Sequence, residues 1–470
     1  MENAAMKRSI EFIDDWLKYR APRVDIPGFC VAIAKKGELL FSRSYGYANL
    51  EEEIPLETQH LFRIASHSKT ITATAIMQLA ERKLLDIDAP AANYLNWLSE
   101  HRDKRMTALT ARQLMCHSAG VIRDGLDASC WLFEQGFPDS ARFQKEFMEA
   151  ELVLDAGRQM KYSNFGYALL GCLVEAVSGT EFNQYAMENI VQPLGLQNTG
   201  PDFRAELLPR LVTGYSRNTQ LRKRLPLVKS VDTRALSPAA GFYSTAEDLC
   251  SYFSAHLQGN GKLLTDKSKQ EMQLTHFAVK DASEKDEYAL GFSVDYAAKR
   301  RLFGHGGGFP GQRSKTMCDS TDGLVVCVLT NCFDAEARTI GKAIYSVFDF
   351  FNAEKTCKLD RSLVRSFEGM FSNFACDLGF VEDGDELLAV NLDSWSIFGS
   401  RQEMQTLSIV DKDRLKIERC EGYGNEGEII SFRRENGEVG SIKYAGVEML
   451  PSSKYYSGLS QLKIIGETMC

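Results

Sequence analysis

The sequence lacks a long hydrophobic run and an excess of positive charge, and both absences limit what the protein can bind. Its longest apolar stretch, "GLVVCVLT", is too short to cross a lipid bilayer. Its formal net charge is −8, whereas nucleic acids and anionic membranes are bound by basic patches. We therefore expect no nucleic-acid partner and no membrane partner.

The sequence also lacks ordered cysteine spacing and a secretory pattern. Its 12 cysteines form no C-x-x-C pair and no zinc-type arrangement with histidine. We therefore expect reduced, mostly buried thiols, and neither a metal nor another cofactor. The N-terminal stretch carries apolar side chains at helical spacing, interrupted by acids, which is not the pattern of a secretory signal. We expect a cytoplasmic protein.

Strand patterns stand at both ends of the first three quarters of the chain, with helical patterns between them. The stretch "GFCVAIAKKGELLFSRSYGYAN" predicts a hairpin around a Lys-Gly turn. Helices and loops dominate from about residue 86 to 258, and strands return in "RRLFGHGGGFPG" and "DGLVVCVLTN" before a last helix. This order predicts an α+β domain over residues 1–352, with an antiparallel sheet flanked by helices and a helical subdomain.

The character of the sequence changes from about Lys358 onward. Short alternating segments separated by turns follow one another, and Asn436-Gly437 is a strong signal for a two-residue hairpin. We predict a separate C-terminal domain over residues 353–470, β-barrel-like in the manner of a lipocalin.

The stretch "LFRIASHSKTITATAIMQLAERKLL" holds the first candidate for chemistry. Ser66 and His67 are adjacent and cannot face each other, but Ser66 and Lys69 lie one helical turn apart on the same face. Ile71 begins an apolar repeat every fourth residue, which predicts a helix that starts at Ser66 and buries one stripe. A desolvated lysine there could accept the serine proton. The alternative is an N-cap serine beside a solvated lysine.

S-x-x-K is weak evidence alone, because Ser460 and Lys463 also match it, but in a strand-like tail. The Y-x-N pattern occurs four times, at Tyr47/Asn49, Tyr94/Asn96, Tyr162/Asn164 and Tyr423/Asn425. We favour Tyr162 and Asn164, because they lie in a turn just ahead of a long apolar helix, where a phenol and an amide could enter a cleft.

The third candidate is "GHGGGFPGQ". His305 precedes three glycines, which would let a ligand approach the backbone closely at a strand edge. The alternative, a mobile glycine loop, would be favoured if this motif stood alone. His117, in "LMCHSAG", is interpreted as a structural histidine at a helix end.

Taken in chain order, these three motifs resemble those of the serine β-lactamase and penicillin-binding-protein superfamily. The likeness covers about residues 8 to 350 and is greatest to the class C branch, with D-aminopeptidases, esterases and mammalian β-lactamase-like proteins. The segment "GNEGEIISFRR" is similar to the β-barrel domain appended to D-aminopeptidase-like members.

The resemblance implies roles for individual residues. Ser66 would be the acylated nucleophile, and Lys69 would be its proton acceptor or the group that orients the proton. Tyr162 would be the second base, and Asn164 would position Lys69 and the substrate amide. His305, Gly306 and Gly307 would replace the Lys-Thr-Gly strand of β-lactamases, and the backbone N–H groups of Ser66 and Gly308 would form the oxyanion hole.

The expected function is therefore a serine hydrolase that acts through an acyl-enzyme on small esters, amides or short peptides, which could carry a D-residue. Histidine stands where β-lactamases hold a permanent cation for the carboxylate of the drug, which lowers the rank of a β-lactamase or DD-peptidase. A catalytically silent ligand-binding or assembly protein is the third alternative. The acyl group, the leaving group and the oligomeric state stay open.

Overall fold

The structure is a computed structural model, and it describes residues 2–201, 205–219, 223–227, 231–279, 286–398, 404–420 and 424–458. The pair Ser460 and Lys463 and the residue Tyr423 lie outside the described residues. The chain divides into two compact units, one formed by Asp25–Lys342 and the other by Met1–Val24 together with Ala343–Cys470.

The unit Asp25–Lys342 is built on an antiparallel sheet, which has nine strands among the described residues. In spatial order the strands are Ile54–Pro55, Glu38–Asn49, Gly28–Lys35, Leu324–Thr330, Gln312–Asp319, Arg300–Phe309, Ser293–Ala297, Glu287–Tyr288 and Phe277–Ala278. Phe29 lies opposite Thr330, so strands from both ends of this unit meet inside the sheet. The predicted assembly of one antiparallel sheet from both ends of the domain is confirmed.

The first hairpin has the predicted turn. Lys36 and Gly37 both adopt positive φ angles, 52° and 88°, between the paired residues Lys35 and Glu38. Two successive residues in the left-handed region match the twist of the flanking strands, and glycine adopts such angles without strain.

Helices surround this sheet. Those of the unit are Ser68–Glu81, Asn96–Ser99, Lys104–Thr107, Ala111–Met115, Ser140–Glu149, Asn164–Ser178, Phe182–Ala186, Gln192–Leu194, Ser237–Ala240, Ala246–Ser254 and Asp266–Gln273, and Ala337–Asn352 runs on into the second unit. In the part of the chain that is described, no helix combines the length and apolarity needed to cross a membrane. The cytoplasmic location stays a prediction.

The helix Ser68–Glu81, here called the serine helix, differs from the predicted one-sided helix. Every residue from Ser68 to Leu79 is buried, because the helix packs against Asn164–Ser178 and Ser237–Ala240. Its threonines are tolerated inside because their hydroxyls donate to backbone oxygens, as Thr72 does to the carbonyl of Pro238 at 2.7 Å. The prediction of a single buried stripe is therefore wrong.

The second unit carries a closed antiparallel barrel, as predicted. Its strands, eight among the described residues, are Gly369–Ser372, Asp377–Asp383, Glu386–Asn391, Gln405–Asp411, Arg414–Arg419, Ile429–Glu435, Glu438–Tyr444 and Val447–Pro451. The first and last strands close the barrel through Phe371 and Pro451. Asn436 and Gly437 form the predicted turn, with φ angles of 53° and 87°.

The helix Glu2–Arg20 belongs to the barrel unit. Trp16 Nε1 donates to the carbonyl of Leu392 at 3.1 Å, and the Tyr19 hydroxyl donates to Asp393 at 3.0 Å. The linear division at 352/353 placed this helix with the hydrolase domain, because no local pattern reveals partners so distant in the chain. Contacts do not test independent folding, so the predicted boundary stays a prediction.

Candidate active site

Ser66 lies in a single 3-10 turn, Ala65–His67, immediately before the serine helix. Ala65 adopts a φ of +46°, a conformation that costs a non-glycine residue about 1–3 kcal/mol and is concentrated at functional sites. The turn is held by the Ser68 hydroxyl, which donates to the carbonyl of Ala65 at 2.6 Å. Ser66 itself is half-buried, and its neighbours Ala65 and His67 are buried. The regular helix begins at Ser68, two residues later than predicted.

His67 does not pair with Ser66, in agreement with the sequence argument. Its Nε2 lies 3.0 Å from the Thr316 hydroxyl and its Nδ1 lies 3.1 Å from the Ser314 hydroxyl, so the ring is bonded to the neighbouring strand. Burial lowers the pKa of His67 to about 3, and nearby Lys315 adds to this effect. The ring is neutral and structural.

Lys69 is fully buried and lies beside the serine. Its Nζ is 3.2 Å from Ser66 Oγ, and it donates to Asn164 Oδ1 at 2.6 Å and to the carbonyl of Ala239 at 2.8 Å. Burial holds the pKa of Lys69 well below the usual 10.5, and Asp124 opposes this shift in part. A buried lysine with a lowered pKa can be uncharged near neutral pH.

Tyr162 contacts the same oxygen from another direction. Its hydroxyl donates to Ser66 Oγ at 2.7 Å, and Lys69 Nζ lies 4.8 Å from the centre of its ring. Burial raises the pKa of Tyr162, and the hydrogen bond with Ser66 offsets part of that rise. The phenol is therefore protonated at neutral pH.

Asn164 is fixed by an acid that the sequence reasoning missed. Its Nδ2 donates to Asp124 Oδ1 at 2.5 Å, which leaves its oxygen to face Lys69. Asp124 also accepts from Trp131 Nε1 at 3.0 Å. Asp124 lies in the loop "GVIRDGLD", whose composition gives no signal of a role, so only the fold reveals this contact.

The strand Arg300–Phe309, here called the glycine strand, lies against the serine turn. A Cβ atom on Gly307 would lie 2.1 Å from the carbonyl oxygen of Ile64, so this approach requires glycine. On one side the strand pairs along its length, but on the other the pairing ends where Ser293 faces Gly304. Among the described residues, the stretch from His305 to Phe309 therefore keeps one unpaired edge.

His305 differs from the strand-edge imidazole that the sequence suggested. The ring is buried, its Nε2 lies 2.8 Å from the Tyr288 hydroxyl, and its Nδ1 lies 2.6 Å from the carbonyl of Gly306. Burial lowers the pKa of His305 well below 6.5, and neighbouring His67 and Lys69 add to this. The ring is neutral, as expected, but its Nε2 is already engaged in a hydrogen bond with the Tyr288 hydroxyl.

His117 lies directly beneath the tyrosine. Its ring centre is 4.1 Å from that of Tyr162, and its Nδ1 accepts the backbone N–H of Ser163 at 3.1 Å. Its carbonyl also accepts the N–H of Lys161 at 2.6 Å. The histidine follows the helix Ala111–Met115, as the sequence suggested, but its contact with Tyr162 was not foreseen.

The three motifs line one cavity of about 980 Å³. Its apolar wall includes Ala128, Trp131, Leu132, Met160 and Phe333, and its charged wall includes Arg123, Asp124, Asp286, Asp295, Arg313, Lys315 and Arg338. A second cavity, of about 1200 Å³, lies in the barrel unit and contains none of the motif residues. Of the other Y-x-N matches, Tyr47 and Tyr94 do not line the motif cavity.

The comparisons with known proteins identify the family. A sequence profile described as Beta-lactamase matches residues 14–346. Because this match covers well over half of the chain, the protein belongs to the β-lactamase family of serine hydrolases.

Curated relatives share the family region. The human serine beta-lactamase-like protein LACTB, described as mitochondrial, is 26% identical over 315 residues, which are 54% of this chain and 57% of that protein. Protein flp of Staphylococcus aureus is 22% identical over 265 residues, with 56% of this chain and 51% of that protein covered. The chain thus spans little more than half the length of these curated relatives.

Solved structures share the fold. A penicillin-binding protein homologue from Pyrococcus abyssi, described as octameric, has a TM-score of 0.63 at 19% identity and covers 94% of this chain and 99% of its own. The D-amino acid amidase of Ochrobactrum anthropi has a TM-score of 0.58 at 21% identity, covering 74% and 96%. These likenesses show the fold and leave the substrate open.

Proposed function

We propose that the protein is a serine hydrolase of the class C branch that forms an acyl-enzyme on Ser66 with small esters, amides or short peptides. One observation carries the proposal: the Ser66 hydroxyl lies between Lys69 Nζ at 3.2 Å and the Tyr162 hydroxyl at 2.7 Å. A nucleophilic serine requires a nearby base, and this grouping supplies two candidates.

Lys69 is the proton acceptor in the first half of the reaction. Its contacts with Asn164 and Ala239 suit two N–H donors of a neutral amine, and its lone pair is then free to face Ser66. As Ser66 Oγ forms a bond to the carbonyl carbon, its proton passes to Lys69.

Tyr162 acts in both halves of the reaction, acylation and deacylation. Its phenol donates a proton to the leaving group as the bond to the carbonyl carbon breaks, and it regains that proton from Lys69. In the second half Tyr162 orients the attacking water, whose proton returns to Ser66 Oγ as the acyl bond is cleaved. The raised pKa of Tyr162 suits a group that is protonated at rest.

The oxyanion is stabilised by the backbone N–H groups of Ser66 and Gly308. These groups lie on the serine turn and on the glycine strand, which approach each other at Gly307. The unpaired edge beyond Gly304 suits an extended substrate that binds as an added strand. Peptide-like amides, including those of D-residues, fit such an edge. The name of the D-amino acid amidase from Ochrobactrum anthropi supports this substrate class.

The nucleophile is tested by labelling with a fluorophosphonate, which traps only activated serines. Intact-mass spectra should show a single adduct on the wild-type protein and none on Ser66→Ala. Ser460→Ala is the matched control, because Ser460 has the same spacing to a lysine, and it should label like the wild type. An adduct on Ser66→Ala would remove Ser66 from its role.

The reaction is tested with p-nitrophenyl esters, D-amino-acid anilides and a chromogenic cephalosporin. We expect Ser66-dependent turnover of esters or anilides above that of the cephalosporin, since His305 is neutral where β-lactamases carry a cation. A preference for the cephalosporin would favour a β-lactamase instead.

A further inference from the structure

One carboxylate oxygen connects the apolar wall of the catalytic cavity to Lys69. Asp124 Oδ1 accepts from the indole Nε1 of Trp131 at 3.0 Å and from Asn164 Nδ2 at 2.5 Å. The oxygen of the same amide accepts from Lys69 Nζ at 2.6 Å. Trp131 is therefore joined to Lys69 through two side chains, although no sequence motif pointed to it.

The ring of Trp131 stands between the glycine strand and the open part of the cavity. Trp131 lies in the 3-10 turn Ser129–Leu132, and its half-buried side chain lines the cavity. Its ring meets those of Phe137 and Phe309 edge-on, at 4.9 and 6.3 Å between centres, and Phe309 ends the glycine strand. Its neighbour Leu132 also lines the cavity and is 72% exposed. Exposed apolar side chains in a cavity suit an apolar group of a ligand.

The carboxylate of Asp124 determines which way round the Asn164 amide points. A carboxylate only accepts hydrogen bonds, so the NH₂ group of Asn164 faces Asp124 and its oxygen faces Lys69. With the amide reversed, its N–H would point at the lone pair of Lys69 and compete there with the proton of Ser66. The orientation found here is therefore the one in which Lys69 is free to act as a base.

The indole N–H holds the Asp124 carboxylate toward Asn164 against a competing partner. The other carboxylate oxygen lies 3.1 Å from Nε of Arg123, whose side chain is 61% exposed. Without the indole N–H, both oxygens could turn to that guanidinium, because a fork of two N–H groups matches a carboxylate. The backbone is fixed independently, since the carbonyl of Arg123 accepts the N–H of Asn164 at 2.8 Å. A change at Trp131 therefore acts on the orientation of side chains.

We propose that Trp131 is a positioning residue that couples the binding of an apolar substrate group to proton transfer at Lys69, by holding Asp124 against Asn164. This inference rests on the proposed function, whose substrate class it narrows to esters and amides with a sizeable apolar group. Such a group, packed on the ring, keeps the indole where its N–H meets Asp124. The apolar group then raises kcat, whereas a group that is only bound lowers KM alone.

The test uses two pairs of esters that differ by four carbons. p-Nitrophenyl hexanoate is compared with the acetate, which varies the acyl group, and 4-butylphenyl acetate with phenyl acetate, which varies the leaving group. In the wild type, kcat of at least one longer ester should exceed that of its short partner roughly 10-fold.

Two variants of Trp131 separate its N–H from its apolar surface. Trp131→Phe keeps an aromatic ring but has no N–H, so it should bring the favoured kcat ratio to about 1 and change KM less than about 3-fold. Trp131→Ala should also raise KM of the longer ester roughly 10-fold, because the apolar contact is lost.

Asp124→Asn tests the route of the coupling. It should lower the kcat ratio as Trp131→Phe does, and the double variant Asp124→Asn/Trp131→Phe should be no worse than Asp124→Asn, because both changes act through one oxygen. Trp97→Phe is the matched control, since Trp97 packs against Phe147 in the same unit and does not line the cavity. It should leave the kcat ratios unchanged. Equal losses on short and long esters in Trp131→Phe, or additive losses in the double variant, would overturn the proposal.

A binding measurement separates this inference from the proposed function. The ligand is N-phenylhexanamide or N-(4-butylphenyl)acetamide, chosen to match the favoured ester. Calorimetry should show tighter binding to Ser66→Ala than to Ser66→Ala/Trp131→Ala. Trp131-dependent binding in a protein that hydrolyses no ester would overturn the proposed function and leave Trp131 as a binding residue only. Ser66-dependent hydrolysis with kcat ratios that do not respond to Trp131 would overturn this inference and keep the function.

Discussion

At the scale of single residues, the environment of Lys69 couples the fold to pH. The pKa of Lys69 is lowered in the folded protein, so between that value and 10.5 the unfolded chain binds one proton more than the folded chain. Stability then rises with pH in this range, by about 1.4 kcal/mol per pH unit for this one group.

The Lys69→Met variant removes this dependence. Urea unfolding of both proteins at pH 8, 9 and 10 should give a stability difference, wild type minus variant, that grows by about 1.4 kcal/mol per unit. A constant difference would mean that Lys69 keeps its proton in the folded state throughout this range.

His117 offers a second test at this scale. It accepts the backbone N–H of Ser163 and packs its ring against Tyr162, and different substitutions remove these two contacts separately. His117→Phe keeps a ring beneath Tyr162 but leaves the buried N–H of Ser163 without its acceptor, which should cost about 1–3 kcal/mol of stability. His117→Asn can keep an acceptor but loses the ring, and should mainly slow labelling of Ser66. Thermal unfolding and labelling rates check both. A His117→Phe variant as stable as the wild type would contradict this role.

The sequence could identify the site residues that lie close to one another along the chain. Ser66 and Lys69 are one turn apart, and Tyr162 and Asn164 flank the start of one helix, so spacing alone made them candidates. Asp124 could not be found in this way, since its contact with Asn164, 40 residues away in the chain, arises only when the two segments pack together.

At the scale of elements, the glycine strand and the serine turn must approach closely. Gly307→Ala places a Cβ atom 2.1 Å from the backbone oxygen of Ile64, and neither backbone can yield without moving the site. A displacement near 1 Å can reduce catalysis by roughly 10²-fold. We expect a loss of that order in the rate of labelling by the fluorophosphonate.

Gly306→Ala is the matched control for that strand. The nearest atom to a Cβ at this position would be the carbonyl oxygen of Ser314 at 3.4 Å, which is an ordinary contact. Labelling should therefore fall much less than in Gly307→Ala. Similar losses in the two variants would show that the strand needs flexible backbone rather than close approach.

Sequence patterns predicted the hairpins correctly but not the burial of the serine helix. The hairpin at Lys36-Gly37 and the one at Asn436-Gly437 were predictable because turn chemistry is local. The burial of the serine helix was not, because threonine counts as polar in a pattern. Its hydroxyl is satisfied inside the protein only when a carbonyl such as that of Pro238 is near.

At the scale of the whole molecule, the packing of the helix Glu2–Arg20 determines which truncated chains should stay soluble. Ile13, Trp16 and Leu17 are fully buried, and the partner of Trp16 lies at Leu392. A chain of residues 1–354 loses that partner and should expose these side chains and aggregate, whereas residues 25–354 should stay soluble.

Size-exclusion chromatography and fluorophosphonate labelling of both truncated chains check this expectation. Residues 25–354 should still be labelled, because Ser66, Lys69 and Tyr162 lie within Asp25–Lys342. If residues 1–354 are equally monodisperse and labelled, the linear boundary at 352/353 describes the autonomous domain better than the division by contacts.

The contact of Trp16 with Leu392 also determines how long an apolar face of the helix stays uncovered during synthesis. Trp16 leaves the ribosome before its partner, because the backbone of Leu392 follows 376 residues later in the chain. At roughly 5–20 residues per second, the apolar face of this helix waits about 20–75 s for its partner. During that interval the nascent chain exposes an apolar face of the kind that chaperones bind, whereas the finished protein covers Trp16 completely.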